Sequence, residues 1–327
     1  MSKWLIDAHV HPVGGCCSTI TNLGDKIKTR KDTFSLNTRH PEILRTRLTE
    51  EPFDVSDDYV AAMDRHGISH AIIQQDYGTT PTLAKLRHDK KNDLVAEVVK
   101  KHPGRLFGLI CFHGWETHPT DRRPGNLPTD KELASYRSRA AEEVARGVEE
   151  LGLIGVGEFW PGRFTQEIHP AKIARDMKPF MDVVAKYKIP VLFHTAWTQF
   201  PHDLFYGDPI WTDEIAYGYP EVPVVLCKMG RSTHFFDTAL MVALRNTNVY
   251  FDIVETTAEH IRKAVDTIGA DRIMFGSDWC AISRWVTEPT DVITKHKKLL
   301  DDVGLSSNER EQIEWKTAAK VFRLNLH

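Results

Sequence analysis

The sequence predicts a (β/α)8 barrel, in which eight parallel strands alternate with helices and close into a ring. Short apolar runs of strand length alternate with longer amphipathic stretches along the whole chain of 327 residues. Eight such runs occur, and most are apolar nearly throughout, which is typical of parallel strands buried on both faces. No GxGxxG pattern follows the first run, which removes the usual reason to expect a dinucleotide-binding sheet. The chain length is ordinary for one barrel with insertions.

The predicted elements follow one another in regular order. The strands are predicted at 4–8, 70–74, 106–112, 154–159, 190–194, 222–229, 249–253 and 272–277. The helices between and after them are predicted at 58–66, 82–101, 131–151, 171–187, 235–244, 258–268 and, as a C-terminal helix, 309–324. A long polar insertion, 13–55, follows the first strand, where barrel enzymes place active-site cover. We expect it to cover the barrel mouth or to join a subunit interface. Because no linker or internal repeat is visible, one domain is expected over 1–327.

Composition and charge narrow the class of protein. Hydrophobic residues make up 41% and charged residues 27% of the chain, so a large core can form. The formal net charge of −3 does not favour nucleic acid or an anionic membrane as a partner. No apolar run approaches the ~20 residues of a membrane span, and the N-terminus lacks the layout of a signal peptide. Five scattered cysteines argue against a disulfide framework. We therefore expect a cytoplasmic enzyme that acts on a small molecule.

Candidate metal ligands stand at the predicted C-terminal ends of the strands, where barrels of this type carry their chemistry. His9 and His11 are two residues apart on the first strand, so both side chains point to the same side. His194 ends the fifth predicted strand and Asp278 follows the eighth. Imidazole and carboxylate suit a divalent transition metal, and the ion lowers the pKa of bound water towards ~7. The four residues together predict a metal site, for zinc first, with manganese or iron as alternatives.

Three segments carry a resemblance to a known family. The stretches "IDAHVHP", "VLFHT" and "RIMFGSDW" resemble the amidohydrolase superfamily, and "NVYFDI" and "AAKVFRL" extend the resemblance over the chain. The resemblance points to the branch of metal-dependent hydrolases and nonoxidative aromatic-acid decarboxylases. It implies that His9, His11, His194 and Asp278 bind the catalytic metal. It also implies that Asp278 exchanges a proton with the attacking water.

One departure from the family pattern concerns the end of the sixth predicted strand. Relatives place histidine there, whereas this sequence has Lys228 in "LCKMGRS". A lysine at this point can transfer a proton, bind a substrate carboxylate, or form a structural salt bridge. Beside a dication its pKa is expected to fall. His234, six residues further on, is a second candidate for the missing imidazole, with a surface position as the alternative.

Glu158, in "GVGEFW", is the second departure. In distant relatives a glutamate on the fourth strand bridges two metals, so Glu158 is a candidate ligand and the expected metal count is one or two. The alternative is that it orients a histidine ligand, the kind of role also expected of Asp252. Candidate substrate-binding residues are His113, Trp160, Trp197 and Arg231, with structural roles as the alternative for each.

Several functions fit this set of residues. Hydrolysis of a C–N or ester/lactone bond comes first, with Asp278 as base. Nonoxidative decarboxylation of an aromatic or unsaturated acid is the alternative, and a dinuclear-metal oxygenase is a minor one. A non-enzymatic subunit that supports a partner chain is also open, although the intact ligand set argues against it. A homo-oligomer is expected, with a hetero-oligomer containing a related subunit as the alternative.

Overall fold

The computed structural model describes residues 4–14, 53–54, 56–75, 88–111, 129–164, 169–196, 203–231, 233–279 and 292–326. Its strands are β1 Ile6–Gly14, β2 Phe53–Asp54, β3 His70–Gln75, β4 Leu106–Gly108, β5 Val156–Phe159, β6 Val191–His194, β7 Val224–Cys227, β8 Val249–Asp252 and β9 Ile273–Met274. Its α-helices are α1 Ser56–His66, α2 His88–Lys101, α3 Asp130–Glu149, α4 Pro170–Tyr187, α5 Asp203–Tyr206, α6 Asp213–Gly218, α7 Thr233–Arg245, α8 Ala258–Ile268, α9 Val292–Asp302, α10 Ser307–Glu311 and α11 Thr317–Val321.

The parallel strands form a closed ring. One parallel set runs in the order β1–β3–β4, and a second runs β5–β6–β7–β8–β9. A parallel bridge between Ile110 and Val156 joins the first set to the second, and another between Val10 and Trp279 joins the last strand to the first. The second junction is reinforced by the amide of Ala8, which donates to the carbonyl of Phe275 at 2.9 Å. The predicted (β/α)8 barrel is therefore confirmed.

The predicted strands all appear in order, and most are shorter than predicted. The short strand β2 was not predicted. It pairs antiparallel with the end of β1, so that Gly14 lies opposite Phe53. The insertion 13–55 therefore leaves and rejoins the described chain at the C-terminal end of β1. Residues 15–52 lie outside the described part, so the expectation that they cover the barrel mouth stays a prediction.

The C-terminal helix is divided rather than continuous. A π-helical turn, Gln312–Lys316, separates α10 from α11. A π-turn widens the backbone hydrogen-bond ladder, and the carbonyl of Ile313 accepts a hydrogen bond from the amide of Phe275 at 2.8 Å. The C-terminal segment is thereby tied directly to the last barrel strand. Among the described helices, none is both long and apolar enough to cross a membrane.

The barrel interior is apolar in its lower layers and polar at its C-terminal end. One buried cluster takes a residue from almost every strand, together with the C-terminal helix: Ile6, Ile72, Leu192, Val225, Tyr250, Met274 and Phe322. Side chains alternate along a strand, so the residues two positions further on also face inward. On β6 and β8 these residues are His194 and Asp252. On these two strands the periodicity that builds the apolar core therefore also turns a polar side chain towards the barrel mouth.

Candidate metal centre

Five buried side chains meet at the C-terminal end of the barrel. β1 contributes His9 and His11, β5 contributes Glu158, and β6 contributes His194. Asp278 follows β9, and its amide donates to the carbonyl of His9 at 2.8 Å, which fixes the two strand ends relative to each other. All five residues are buried. The structure thus gathers the residues that were predicted as ligands from four strands that are far apart in sequence.

The ligand atoms of His9, His11 and Glu158 lie close enough together to hold a metal ion, and Asp278 lies beside the two histidines. The Nε2 atoms of His9 and His11 lie 3.1 Å apart. Glu158 Oε2 lies 3.2 Å from His9 Nε2 and 3.6 Å from His11 Nε2. Asp278 Oδ1 lies 3.2 Å from His11 Nε2 and 3.8 Å from His9 Nε2. For metal–ligand bonds of ~2.1 Å, neighbouring ligand atoms lie ~3.0 Å apart in an octahedral site and ~3.4 Å apart in a tetrahedral one. The residues present therefore fit a divalent cation.

The second ring nitrogen of His9 is fixed from behind. Its Nδ1 lies 2.8 Å from Asp252 Oδ2, and both side chains are at most 1% exposed. A carboxylate in this position holds the proton on Nδ1, which leaves Nε2 unprotonated towards the metal position. The other oxygen of Asp252 accepts hydrogen bonds from the amides of Lys228 at 2.7 Å and Val254 at 3.1 Å. Asp252 therefore orients His9 and the chain after β7 at once.

Glu158 contacts the groups needed for both roles that the sequence left open, metal ligand and partner of a histidine. One carboxylate oxygen faces His9 and His11, while the other lies 2.6 Å from Nδ1 of His194. The amide of Glu158 donates to Oε1 of Gln74 on β3 at 2.6 Å. Glu158 thus joins His194 to the ligand group. Direct metal binding by His194 stays a prediction, as does the choice between one ion and two.

The charge of the pocket also suits a dication. Three buried carboxylates (Glu158, Asp252 and Asp278) face one buried ammonium, Lys228, which leaves two negative charges. Burial lowers the pKa of His9, but the nearby carboxylates, Glu158 first, outweigh it and raise the pKa to about 10. The pKa of His11 is raised in the same way, against burial, by Asp278 and Glu158. The raised pKa values of both imidazoles and the two net negative charges have the same cause, a pocket that favours positive charge, which a divalent ion supplies.

Lys228 points into this pocket, as predicted, and forms an ion pair there. It starts the short 3₁₀ turn Lys228–Gly230 after β7, and its ammonium contacts Asp278 Oδ2 closely and lies 3.7 Å from Glu158 Oε1. Burial lowers the pKa of this ammonium, but the carboxylates of Asp278 and Glu158 raise it by more. The fall in pKa expected beside a dication stays a prediction.

The remaining predicted residues fall in different places. Trp160 is buried against the metal centre, with its ring centroid 4.5 Å from that of His194. Arg231 forms an ion pair with Glu255. His234 lies exposed on the first turn of α7, outside the buried cluster. A catalytic role for His234 has no support from this placement. His113 and Trp197 lie outside the described residues.

Asp7 is a structural part of the centre to which the sequence reasoning gave no role. It is fully buried, accepts hydrogen bonds from Tyr59 Oη at 2.9 Å and Ser277 Oγ at 2.5 Å, and also accepts one from the Ser277 amide at 2.9 Å. Burial raises its pKa to about 6. Asp7 thus ties the strand that carries His9 to the residue before Asp278. The Asp-x-His-x-His spacing on β1 could have drawn attention to Asp7. Its hydrogen-bond partners, Tyr59 and Ser277, come from distant parts of the chain.

The fold and the centre together define a barrel enzyme built to use a divalent metal. The chain belongs to the amidohydrolase family, whose sequence model matches residues 6–324. The superfamily resemblance found in the sequence is thereby confirmed.

Individual relatives were found by sequence and by structure. The chain is 27% identical to gamma-resorcylate decarboxylase from Polaromonas sp. (strain JS666 / ATCC BAA-500), over 86% of this chain and 90% of that protein. Its structure is similar to that of a dihydroxybenzoic acid decarboxylase from Polaromonas sp. JS666 with bound manganese and the inhibitor 2-nitroresorcinol. That match has a TM-score of 0.61 and 18% identity, and covers 100% and 98% of the two chains. A probable 2-pyrone-4,6-dicarboxylic acid hydrolase from Acinetobacter baumannii matches with a TM-score of 0.55 and 13% identity, over 98% and 99%.

Proposed function

We propose that this protein is a metal-dependent nonoxidative decarboxylase of a hydroxylated aromatic acid. The observation that carries the proposal is the buried Lys228–Asp278 pair beside His9 and His11. A buried ammonium next to a divalent cation suits an anionic substrate, because a carboxylate then has two positively charged groups to contact. The decarboxylases among the relatives support the same choice. The sequence alone favoured hydrolysis, and this order is now reversed.

The net reaction replaces the carboxylate of the acid by hydrogen. The bond between the ring carbon and the carboxyl carbon breaks, CO₂ leaves, and the electron pair that remains on the ring carbon takes up a proton. His9, His11, Glu158 and Asp278 are the residues proposed to hold the metal. When bound, the metal supplies Lewis-acid polarisation and orients the carboxylate and its neighbouring hydroxyl.

Three side chains of the protein are proposed to bind the substrate, transfer the proton and enclose the ring. Lys228 is proposed to bind the substrate carboxylate as a fixed positive charge. Asp278, hydrogen-bonded to that ammonium, is the group proposed to pass a proton to the ring carbon and to recover it from solvent. Trp160, which is buried against His194, is proposed to form part of an apolar wall for the ring.

Manganese is the metal we expect first. The site offers two carboxylates beside two imidazoles. Carboxylate oxygens are hard ligands that suit manganese, whereas thiolates, which favour zinc, are not among the proposed ligands. The structural neighbour with bound manganese supports the same choice. Zinc, which the sequence analysis put first, is therefore tested alongside it.

Hydrolysis of a lactone dicarboxylate is the second candidate, because such a substrate is also anionic and a neighbour of similar fold bears that name. The two functions differ in how they use Asp278. A hydrolase needs this carboxylate as a base for water, whereas the decarboxylase proposed here uses it to pass a proton to the ring carbon. We put decarboxylation first because the relatives matched by sequence and by structure are mostly decarboxylases.

The experiment uses purified protein that has been stripped of metal and reloaded with Mn²⁺ or Zn²⁺. It is incubated with 2,6-dihydroxybenzoate, 5-carboxyvanillate and 2-pyrone-4,6-dicarboxylate, and CO₂ and aromatic products are measured. We expect metal-dependent CO₂ release from a hydroxybenzoate, with one deuterium in the product ring when the reaction runs in D₂O. The His9→Ala variant should be inactive. Ring opening of the pyrone without CO₂ release would establish the hydrolase instead.

A further inference from the structure

The backbone after β7 adopts an unusual conformation over four consecutive residues. Lys228, Met229, Gly230 and Arg231 have φ values of 68°, 45°, 78° and 59°. Non-glycine residues rarely adopt this left-handed conformation, and a run of them persists only where the surroundings fix it. At Gly230 a Cβ atom would lie 2.5 Å from the backbone of Phe235, so a side chain has no room there. This strained turn is what aims Lys228 into the metal centre.

Contacts from the neighbouring β8 segment hold both ends of the turn. At its start, the amide of Lys228 donates to Asp252 Oδ1 at 2.7 Å. At its end, Arg231 Nη2 donates to Glu255 Oε1 at 2.9 Å, and Arg231 Nε lies 2.7 Å from Glu255 Oε2. Both side chains of this ion pair are only 11% exposed, so water screens their attraction weakly.

Glu255 is itself fixed from behind. It also has a positive φ, 51°, and its amide donates to Nε2 of His296 on α9 at 3.1 Å. His296 is buried, and its Nδ1 lies 2.8 Å from the carbonyl of Val292. A buried helix residue thus holds the loop that carries the carboxylate partner of Arg231.

We infer that Arg231 and Glu255 are positioning residues, which hold the turn 228–231 so that the ammonium of Lys228 stays against Asp278. The sequence left Arg231 open between substrate binding and a structural role. Its guanidinium charge is balanced by Glu255, and its main chain closes the turn, since its amide donates to the carbonyl of Lys228 at 2.6 Å. The catalytic consequence of this inference rests on the proposed function of Lys228, whereas the placement of the ammonium does not.

The first measurement needs no substrate or metal. Lysine side chains are labelled with ¹³C at Cε in the metal-free protein, and the Lys228 signal is assigned by its loss in Lys228→Met. We expect Glu255→Gln and Arg231→Gln each to shift this signal, and the double variant to shift it no further than either single change. Glu143→Gln is the matched control, because Glu143 forms a similar partly buried pair with Arg146 on α3, at 2.7 Å. It should leave the Lys228 signal unchanged.

The second measurement follows turnover with metal bound. Each single variant should lower kcat at least about tenfold while KM changes less than about twofold, and Arg231→Lys should restore part of kcat. An unchanged Lys228 signal in variants that fold with a normal Tm would overturn the inference. So would a large rise in KM for Arg231→Gln alone, since that result would make Arg231 a substrate ligand. If no substrate is turned over, the proposed function fails and the Lys228 signal still decides the positioning role.

Discussion

Replacing Asp252 by Asn tests how the metal centre is held from behind. One oxygen of the Asp252 carboxylate lies 2.8 Å from His9 Nδ1, and the other accepts hydrogen bonds from two backbone amides. Asparagine keeps one oxygen for the amides of Lys228 and Val254, but it turns an NH₂ group towards Nδ1. His9 must then carry its proton on Nε2, where the metal would bind, so the imidazole becomes a poor ligand in its preferred state.

The size of the effect follows from the burial of this pair. Neither side chain is more than 1% exposed, so water cannot replace the lost hydrogen bond. Carboxylates that orient a metal-bound histidine typically contribute 10–100-fold to metal affinity, or about 1.4–2.7 kcal/mol. We expect Asp252→Asn to fall in the upper part of this range. The metal-free protein should keep its Tm within a few degrees, because the change also removes one of three mutually repelling carboxylates.

Chelator competition with Mn²⁺ measures the affinity, and thermal unfolding of the stripped protein measures the stability. Asp213→Asn is the matched control: Asp213 is 6% exposed and accepts a hydrogen bond from Asn246 Nδ2 at 2.9 Å, on the α6–α7 side of the fold. It should leave metal affinity unchanged. If Asp252→Asn binds Mn²⁺ within twofold of the unchanged protein, the tautomer argument and the assignment of His9 as a ligand are both wrong.

Three further changes test other parts of the structure. Lys228→Met should keep stoichiometric metal, since the change leaves the pocket one charge more negative, yet lower kcat at least about a hundredfold; unchanged turnover per bound metal would make Lys228 structural. Burial lowers the pKa of His296, so the unfolded chain binds a proton that the native state does not, and stability falls as the pH drops below ~6.5. His296→Gln should therefore lose less stability in urea between pH 7.5 and 5 than the unchanged protein, and equal losses would contradict this. Gly230→Ala places a Cβ atom 2.5 Å from the backbone of Phe235 and should destabilise by more than about 1 kcal/mol. Gly218→Ala, which meets nothing within 4 Å, should not.

The order of the strands and the main candidate ligands could be predicted from the sequence. Apolar runs mark buried parallel strands, and their period of two places His9 and His11 on one side of β1. Because chemistry in such barrels collects at the C-terminal strand ends, Glu158 and Asp278 could be singled out before any distance was known. These inferences are local: each needs only a short stretch of chain and a general rule about strand ends.

The partners of these residues were decided by the tertiary structure. Nothing near Lys228 in sequence indicates that its ammonium contacts Asp278, fifty positions away. The local sequence likewise gives no sign that this carboxylate raises the pKa of the ammonium. The same holds for Asp7 with Ser277, and for Arg231 with Glu255. Such contacts depend on the register between strands and on loop conformations that close the barrel. Register is set by the packing of the whole ring, whereas local sequence fixes only which side chains face inward.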